Sequence, residues 1–141
     1  MPEESTTPDL VELTRRIWVA VNRQDWDAVL SSFFAPDAFW DMSPMGLGTF
    51  EGPTALRGLW EDWQGSYEEL VSEVEQVLDL GGGVVFAVIR MQGRMTGSTS
   101  SAQAQAGWVY QWVDGMVVRV TTYTDIDEAH ADAERLVESR G

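Results

Sequence analysis

The sequence has no cysteine and only one histidine among its 141 residues. The absence of cysteine excludes disulfides, thiolate metal ligands and cysteine nucleophiles, and a single histidine excludes a histidine-rich metal site. Basic residues are few, with 9 against 23 acidic residues, and the net charge is −14. Such a charge repels nucleic acid and anionic membranes, so we expect a neutral or cationic small partner. We also expect no cofactor and no metal site.

Long apolar runs are also missing. No segment approaches the ~20 apolar residues that a membrane-spanning helix needs. The N-terminal "MPEESTTPD" lacks the apolar segment of a secretory signal. Because the length suits one hydrophobic core, we predict a single domain over residues 1–141, with 1–7 as a flexible tail. We expect it to be cytoplasmic, without a membrane partner.

Apolar residues at helical spacing predict three helices before the main sheet. The first is capped by Thr7, and the second begins at Asp25 and ends before Pro36, since a proline disfavours helical geometry in the residue before it. The third begins at Gly52-Pro53. Between the second and third helices, "DAFWDM" predicts a strand.

The period of the pattern changes to two from Glu69 onward, which predicts a series of long strands. A "GGG" turn at 81–83 and the Asp114-Gly115 pair are typical of hairpin turns. The first turn separates a strand predicted up to 80 from one over 84–94, and the second separates a strand over 103–113 from one over 116–124. A last helix begins near Asp125 or Asp127. The order predicts an α+β fold, an antiparallel sheet with helices packed on one face.

Seven tryptophans are many for a chain of this size. Trp60 and Trp63 share the third helix, whereas Trp108, Tyr110 and Trp112 alternate along one strand face beside small alanines. Large aromatic side chains next to small residues are typical of an aromatic-walled cavity for an apolar ligand. The alternative is an ordinary core or a dimer face.

Three polar residues, Arg90, Gln92 and Arg94, alternate out of phase with the apolar residues of their strand. This phase predicts that they share one sheet face. That face is either a solvated outer surface or the polar part of an otherwise apolar pocket.

Asp41 lies between Trp40 and Met42 in a segment predicted to be a buried strand. Desolvation in apolar surroundings would raise the pKa of its carboxyl above the ~3.9 of a free aspartate and make it a better general base. The alternative is an Asx turn, in which the side chain accepts a hydrogen bond from the backbone near Ser43, just before Pro44.

Three segments, "VNRQDWDAVLSSFFAPDAFW", "GTFEGPTALRGLWEDW" and "VDGMVVRVTTYTDIDEAHADA", together resemble the SnoaL-like branch of the nuclear transport factor 2-like superfamily. With the strands between them, the resemblance covers nearly the whole chain. It implies a cone-shaped α+β fold that encloses a hydrophobic pocket, and frequent homodimers. The implied functions include polyketide cyclisation, steroid isomerisation, epoxide hydrolysis and plain ligand binding, among which fold alone does not choose.

The resemblance implies roles for particular residues. Asp41 matches the proton-abstracting aspartate of ketosteroid isomerases and the water-positioning asparagine of limonene epoxide hydrolases, which implies that it faces the cavity. Arg90 resembles the arginine of the epoxide hydrolases. Gln92 and Thr122 stand where those hydrolases have their two essential acids, so direct epoxide hydrolysis is not expected.

Other parts of the family's chemistry have no counterpart in this sequence. The carbonyl-polarising tyrosine of the isomerases falls near Ile17 or Trp18, and its partner acid falls near Gly107 or Trp108. None of these residues supplies the same donor. The acid–base pair of the polyketide cyclases is not recognisable either.

Our hypothesis is that the chain binds a small, largely apolar molecule, with Asp41 removing a proton or orienting a water. Arg90 would pair with Asp41 or stabilise developing negative charge, in an isomerase-, cyclase- or hydrolase-type reaction. The alternative is a non-catalytic ligand-binding or dimerisation module. A third possibility is a structural partner protein, which would be favoured if no cavity of at least ~300 Å³ remained among the tryptophans. The remaining predicted pocket residues are Trp18, Trp40, Trp60, Trp63, Gln92, Trp108, Tyr110 and Thr122.

Overall fold

The computed structural model describes residues 9–65, 67–97 and 101–140. In these ranges two helices and two short strands are followed by a third helix, four consecutive strands and a last helix, with a short 3-10 turn, Ser43–Met45, between the first two strands. In chain order they are α1 Leu10–Asn22, α2 Trp26–Ser32, β1 Phe34–Asp41, β2 Thr49–Glu51, α3 Pro53–Gly65, β3 Tyr67–Gly81, β4 Val84–Met95, β5 Ser101–Val113, β6 Met116–Tyr123 and α4 Ile126–Arg140.

The six strands form one sheet in the order β2-β1-β6-β5-β4-β3. The predicted α+β fold class, a curved sheet with three helices before the long strands and one after them, is confirmed. Four of the five strand pairs are antiparallel, as predicted. The pair of β1 and β6 is parallel, with Trp40 beside Val120 and Asp41 beside Thr121. This parallel pair was not predicted, and it places β1 between β2 and β6 in the sheet.

The two predicted hairpin turns are confirmed by their backbone angles. Asp114 and Gly115 have φ of 52° and 80°, the pair of positive angles that a two-residue hairpin turn of this type requires. Gly81, Gly82 and Gly83 also have positive φ and connect β3 to β4. Glycine adopts these angles without the steric cost that a side chain would bring.

The ends of the first two helices differ from the prediction. Thr7 lies outside the described residues, and α1 is capped by Asp9, whose side chain accepts from the backbone N–H of Glu12 at 3.2 Å. Helix α2 ends at Ser32, and Pro36 lies inside β1. The β1–β6 register shifts between Phe34 and Phe39. Such a shift accommodates a proline, which has no backbone N–H for the ladder.

Both faces of the sheet are covered, which corrects the prediction of helices on one face. Strand β4 places Val85, Ala87 and Ile89 in a core with residues of α1, α2 and α3. The alternate residues of the same strand, among them Phe86 and Val88, pack with α4 on the opposite face. We call these the inner and outer faces. None of the helices in the described ranges is long and apolar enough to cross a membrane.

Candidate functional site

Most of the predicted pocket residues form the packed core on the inner face. Trp18, Trp40, Trp60 and Trp108 each have 1–2% of their surface exposed. Their rings lie in contact, with centroids 4.8 Å apart for Trp18 and Trp108 and 4.9 Å apart for Trp40 and Trp60. We expected these tryptophans to leave an open space between them. They pack against one another instead and fill this part of the interior.

Two hydrogen bonds fix the orientation of this aromatic core. The indole N–H of Trp18 donates to the hydroxyl of Tyr110 at 3.0 Å, and the indole N–H of Trp40 donates to the hydroxyl of Thr122 at 2.7 Å. Burial raises the pKa of Tyr110 well above its usual range, against the smaller opposing effect of the Trp18 hydrogen bond. Tyr110 therefore stays neutral at physiological pH and has the role of a structural partner for Trp18.

Trp63 borders a cavity. Its ring lies 5.5 Å from that of Trp60 and is half-buried. The cavity has a volume of about 230 Å³. We call it the inner pocket. It is lined by Met45, Trp63, Tyr67, Leu70, Met91 and Ala104, with glutamines and small residues completing the wall.

Asp41 lies at the end of β1 on the outer face. Its neighbour Trp40 belongs to the inner core, and alternation along the strand turns Asp41 the other way. There Asp41 lines a groove of about 710 Å³ between the sheet and α4. We call it the outer groove. Arg119, Thr121, Tyr123, Arg135 and Ser139 also line it. The expectation that Asp41 faces an apolar inner cavity is therefore wrong.

Three donors hold the Asp41 carboxylate. The backbone N–H of Ser43 donates to Oδ1 at 2.9 Å and the Ser43 hydroxyl donates to the same oxygen at 2.6 Å. The Arg119 guanidinium donates to Oδ2 at 2.9 Å. The bonds from Ser43 form the Asx turn that the sequence left open as an alternative.

These contacts decide the protonation of Asp41. Burial by itself acts to raise the pKa, but the hydrogen bonds from Ser43 and the nearby Arg119 charge outweigh it and lower the pKa below its usual value. The predicted rise in the pKa of Asp41 is therefore wrong. A carboxylate stabilised in this way is a weaker general base than a desolvated one.

Arg90 and Gln92 lie elsewhere on the outer face. The Arg90 guanidinium pairs with Glu75 of the adjacent strand at 2.6 Å, so the predicted pairing of Arg90 with Asp41 is wrong, because Arg119 occupies that position. Gln92 is exposed and lines a shallow depression of about 300 Å³ beside the sheet edge with Glu69. The structure thus separates Asp41, Arg90 and the tryptophans into three different places.

Sequence patterns could have pointed to Arg119 and Tyr123. Arg119, Thr121 and Tyr123 alternate along β6 and therefore share a face. That this face is also the face of Asp41 depends on the parallel β1–β6 register, which local sequence patterns do not encode. Among residues 9–65, 67–97 and 101–140, no group of three or more histidine, aspartate or glutamate side chains is arranged to hold a metal ion.

The chain belongs to the SnoaL-like domain family. The family model matches residues 14–120, which include most of the inner core and five of the six strands completely. A search of curated protein sequences finds no significant match.

Solved structures share the fold at low sequence identity. A SnoaL-like protein from Jannaschia sp. CCS1, provisionally named a polyketide cyclase, has a TM-score of 0.74 at 16% identity, over 93% of this chain and 95% of that one. An NTF2-like protein of unknown function from Burkholderia pseudomallei K96243 has a TM-score of 0.72 at 21% identity, over 86% and 95%. A protein with a ketosteroid isomerase-like fold from Catenulispora acidiphila DSM 44928, in complex with trimethylamine, has a TM-score of 0.71 at 15% identity, over 92% and 95%.

Proposed function

We propose that this SnoaL-like protein is a small-molecule-binding domain whose ligand is compact, largely apolar, and neutral or cationic. The ligand occupies the inner pocket. The observation that carries the proposal is the pocket itself, an opening of about 230 Å³ on the inner face next to a core that is otherwise filled by tryptophans.

The walls of the inner pocket favour an apolar ligand. Trp63 and Tyr67 offer aromatic faces, and Met45 and Met91 offer polarisable thioethers that adapt to different shapes. Ala104 leaves space beside them. Pockets for drug-sized ligands measure about 300–1,000 Å³, so this volume suits a smaller molecule, about the size of one ring. The pocket is below the ~300 Å³ under which a structural partner protein is the favoured alternative, and binding of none of the probes tested below would support that alternative.

Charge favours a neutral or cationic ligand over an anionic one. The net charge of −14 attracts cations to the protein as a whole, and aromatic side chains attract a cation over their ring faces. The Catenulispora protein of the same fold was solved with trimethylamine, a small molecule that is cationic when protonated. A small ammonium compound is therefore a suitable first probe for this pocket.

Geometry favours binding over acid–base catalysis. The inner pocket and Asp41 are on opposite faces of the sheet, and Asp41 is held as an anion by Ser43 and Arg119. Catalysis by Asp41 and Arg90 stays a prediction of the family resemblance. Family membership likewise supports the predicted homodimer, which we keep as part of the proposal.

The test is a titration of intrinsic tryptophan fluorescence with trimethylammonium and toluene in the purified protein and two variants. Ala104→Leu narrows the inner pocket from its exposed wall. The matched control, Ala35→Leu, narrows a separate groove of about 590 Å³ that also includes Leu30 and Leu56. We expect at least one probe to bind the original protein saturably. Its dissociation constant for the control should be within about twofold of the value for the original protein, and Ala104→Leu should bind it at least about tenfold more weakly.

Equal affinity of the two variants would remove the inner pocket from the proposal. If Ala35→Leu weakens binding and Ala104→Leu does not, the binding site is the groove of about 590 Å³ and not the inner pocket. A probe that is chemically converted during the titration would favour the catalytic hypothesis, and Asp41→Asn would then test whether the conversion depends on that carboxylate.

A further inference from the structure

We propose that the outer groove is a second binding site, for a small organic carboxylate. This site is independent of the inner pocket, because the sheet separates the two. The groove has a volume of about 710 Å³ and lies between β1, β5 and β6 on one side and α4 on the other. This volume is within the range of sites for metabolite-sized ligands.

The groove exposes positive charge more than negative charge. Arg119 has 41% of its side-chain surface exposed, whereas its partner Asp41 has 16%. Arg135 is 66% exposed and its partner Asp132 is 27% exposed. In both ion pairs the carboxylate is the more deeply placed group. A ligand entering from solvent therefore meets guanidinium N–H donors first, although the whole chain is acidic.

Arg119 is held in position before any ligand arrives. One terminal nitrogen donates to Asp41 at 2.9 Å, and the guanidinium carbon lies 4.8 Å from the centroid of the Phe39 ring. A guanidinium carries five N–H donors in a rigid plane, and a single hydrogen bond to Asp41 uses one of them. The geometry that Asp41 and Phe39 impose is suited to bidentate recognition of a second carboxylate.

Uncharged donors and apolar side chains complete the groove. Burial raises the pKa of Tyr123, and the negative charges of Glu128 and Asp41 raise it further against the opposing effect of Arg119 and Arg135. Tyr123 thus keeps its proton and can donate. Leu136 and Pro44 offer apolar contact for the organic part of the ligand. This combination favours an organic carboxylate over a bare inorganic anion.

The experiment is a titration of the ¹H–¹⁵N correlation spectrum with sodium benzoate, and in parallel with benzamide and inorganic phosphate. We carry it out at about 150 mM salt, where the Debye length is about 8 Å and the long-range repulsion from the acidic surface is screened. Benzoate should bind saturably with a dissociation constant of about 1 mM or lower. The shifted amides should cluster at residues 119–123 and in α4.

The variants are Arg119→Gln and Arg135→Gln, with Arg57→Gln as the matched control. Arg57 also pairs with carboxylates and is 43% exposed, but it lies on α3, away from the outer groove. We expect Arg119→Gln to weaken benzoate binding at least about tenfold, from the loss of charge-assisted hydrogen bonds, and Arg57→Gln to change it less than about twofold. Arg135→Gln should weaken it about threefold, and it tests the site independently if Arg119→Gln fails to fold.

Three results would overturn the proposal. The first is the absence of saturable benzoate binding, or shifts confined to the inner pocket. The second is equal weakening by Arg57→Gln, which would indicate non-specific charge attraction. The third is equal binding of benzamide or phosphate. Equal binding of benzamide would exclude recognition of the carboxylate charge, and equal binding of phosphate would exclude recognition of the organic part.

Discussion

Asp41 illustrates how hydrogen-bond partners decide the chemistry of an acidic residue. Its carboxylate joins three elements, because Ser43 belongs to the turn after β1, Arg119 belongs to β6, and Asp41 itself ends β1. The same contacts that make Asp41 a weak base make it a structural link. We therefore expect substitution of Asp41 to affect stability in a way that depends on pH.

Asp41→Asn should destabilise the protein near neutral pH and lose this effect in acid. Because the folded-state pKa of Asp41 is lowered, the stabilisation is fully present above the unfolded pKa of ~3.9 and is lost as the pH falls through the folded value. Urea unfolding midpoints of the original and variant proteins at about pH 7, 5 and 3 measure the difference.

The matched control for this experiment is Asp37→Asn, an exposed aspartate of the same strand. We expect the control to change the midpoint little at any of these pH values, because surface substitutions away from special contacts usually have small effects. A destabilisation by Asp41→Asn that is equally large at all three pH values would contradict the role assigned to the charged carboxylate.

Helices and strands were predictable in this chain where local patterns are strong. The change from helical spacing to period two, and the glycine-containing turns at 81–83 and 114–115, predicted the later strands to within about two residues of those observed. The parallel β1–β6 pair joins segments about 80 residues apart, so no local pattern encodes it.

The run "VVFAVI", Val84 to Ile89, did contain an unused signal for the coverage of both sheet faces. Such continuous apolar runs are typical of strands buried on both faces, which is how β4 lies between α4 and the other helices.

The site was less predictable than the fold for a physical reason. Aromatic residues that line a cavity and aromatic residues that fill a core occur at the same spacing in the sequence and are equally hydrophobic. The difference is the volume left between side chains, which depends on how distant segments meet. Trp60 and Trp63 differ by one turn of α3, yet only Trp63 borders the inner pocket.

The contact between α4 and β5 depends on the absence of a side chain at Gly107. A Cβ atom built there would lie 2.5 Å from the Cβ of Ala129, closer than the Cβ atoms of two residues in van der Waals contact approach. We expect Gly107→Ala to destabilise the fold by about 1–3 kcal/mol, as overpacked cores do. Urea unfolding measures this change, and Ala129→Gly in the same chain should restore part of the loss.

The control for Gly107→Ala is Gly58→Ala on α3, where a new Cβ meets no atom within 4 Å. This change should stabilise the protein by up to about 1 kcal/mol, because alanine is the better helix former. A Gly107→Ala protein as stable as the original would mean that α4 does not pack closely on β5. That result would also remove one wall of the outer groove.

At the scale of the whole molecule, charge and hydrophobic surface constrain self-association. Large hydrophobic side chains exposed among the described residues are Val19, Leu47, Val71 and Val113, which belong to four different segments. Helix α4 covers apolar residues on the outer sheet face. The described surface thus offers no single cluster of these exposed side chains for a dimer interface, while two molecules with a net charge of −14 each repel one another.

The predicted homodimer should accordingly depend on salt in the direction that screening requires. Repulsion between the two acidic molecules acts over about 30 Å at 0.01 M salt and over about 8 Å at 0.15 M salt. Sedimentation velocity at these two salt concentrations should therefore show a larger dimer fraction at the higher one. A dimer that is equally stable at both salt concentrations would indicate a large apolar interface, for which α4 would have to leave the outer face. Monomers at both salt concentrations would make the predicted homodimer wrong. Gly58→Ala is the control for this measurement, because it should leave the salt dependence unchanged.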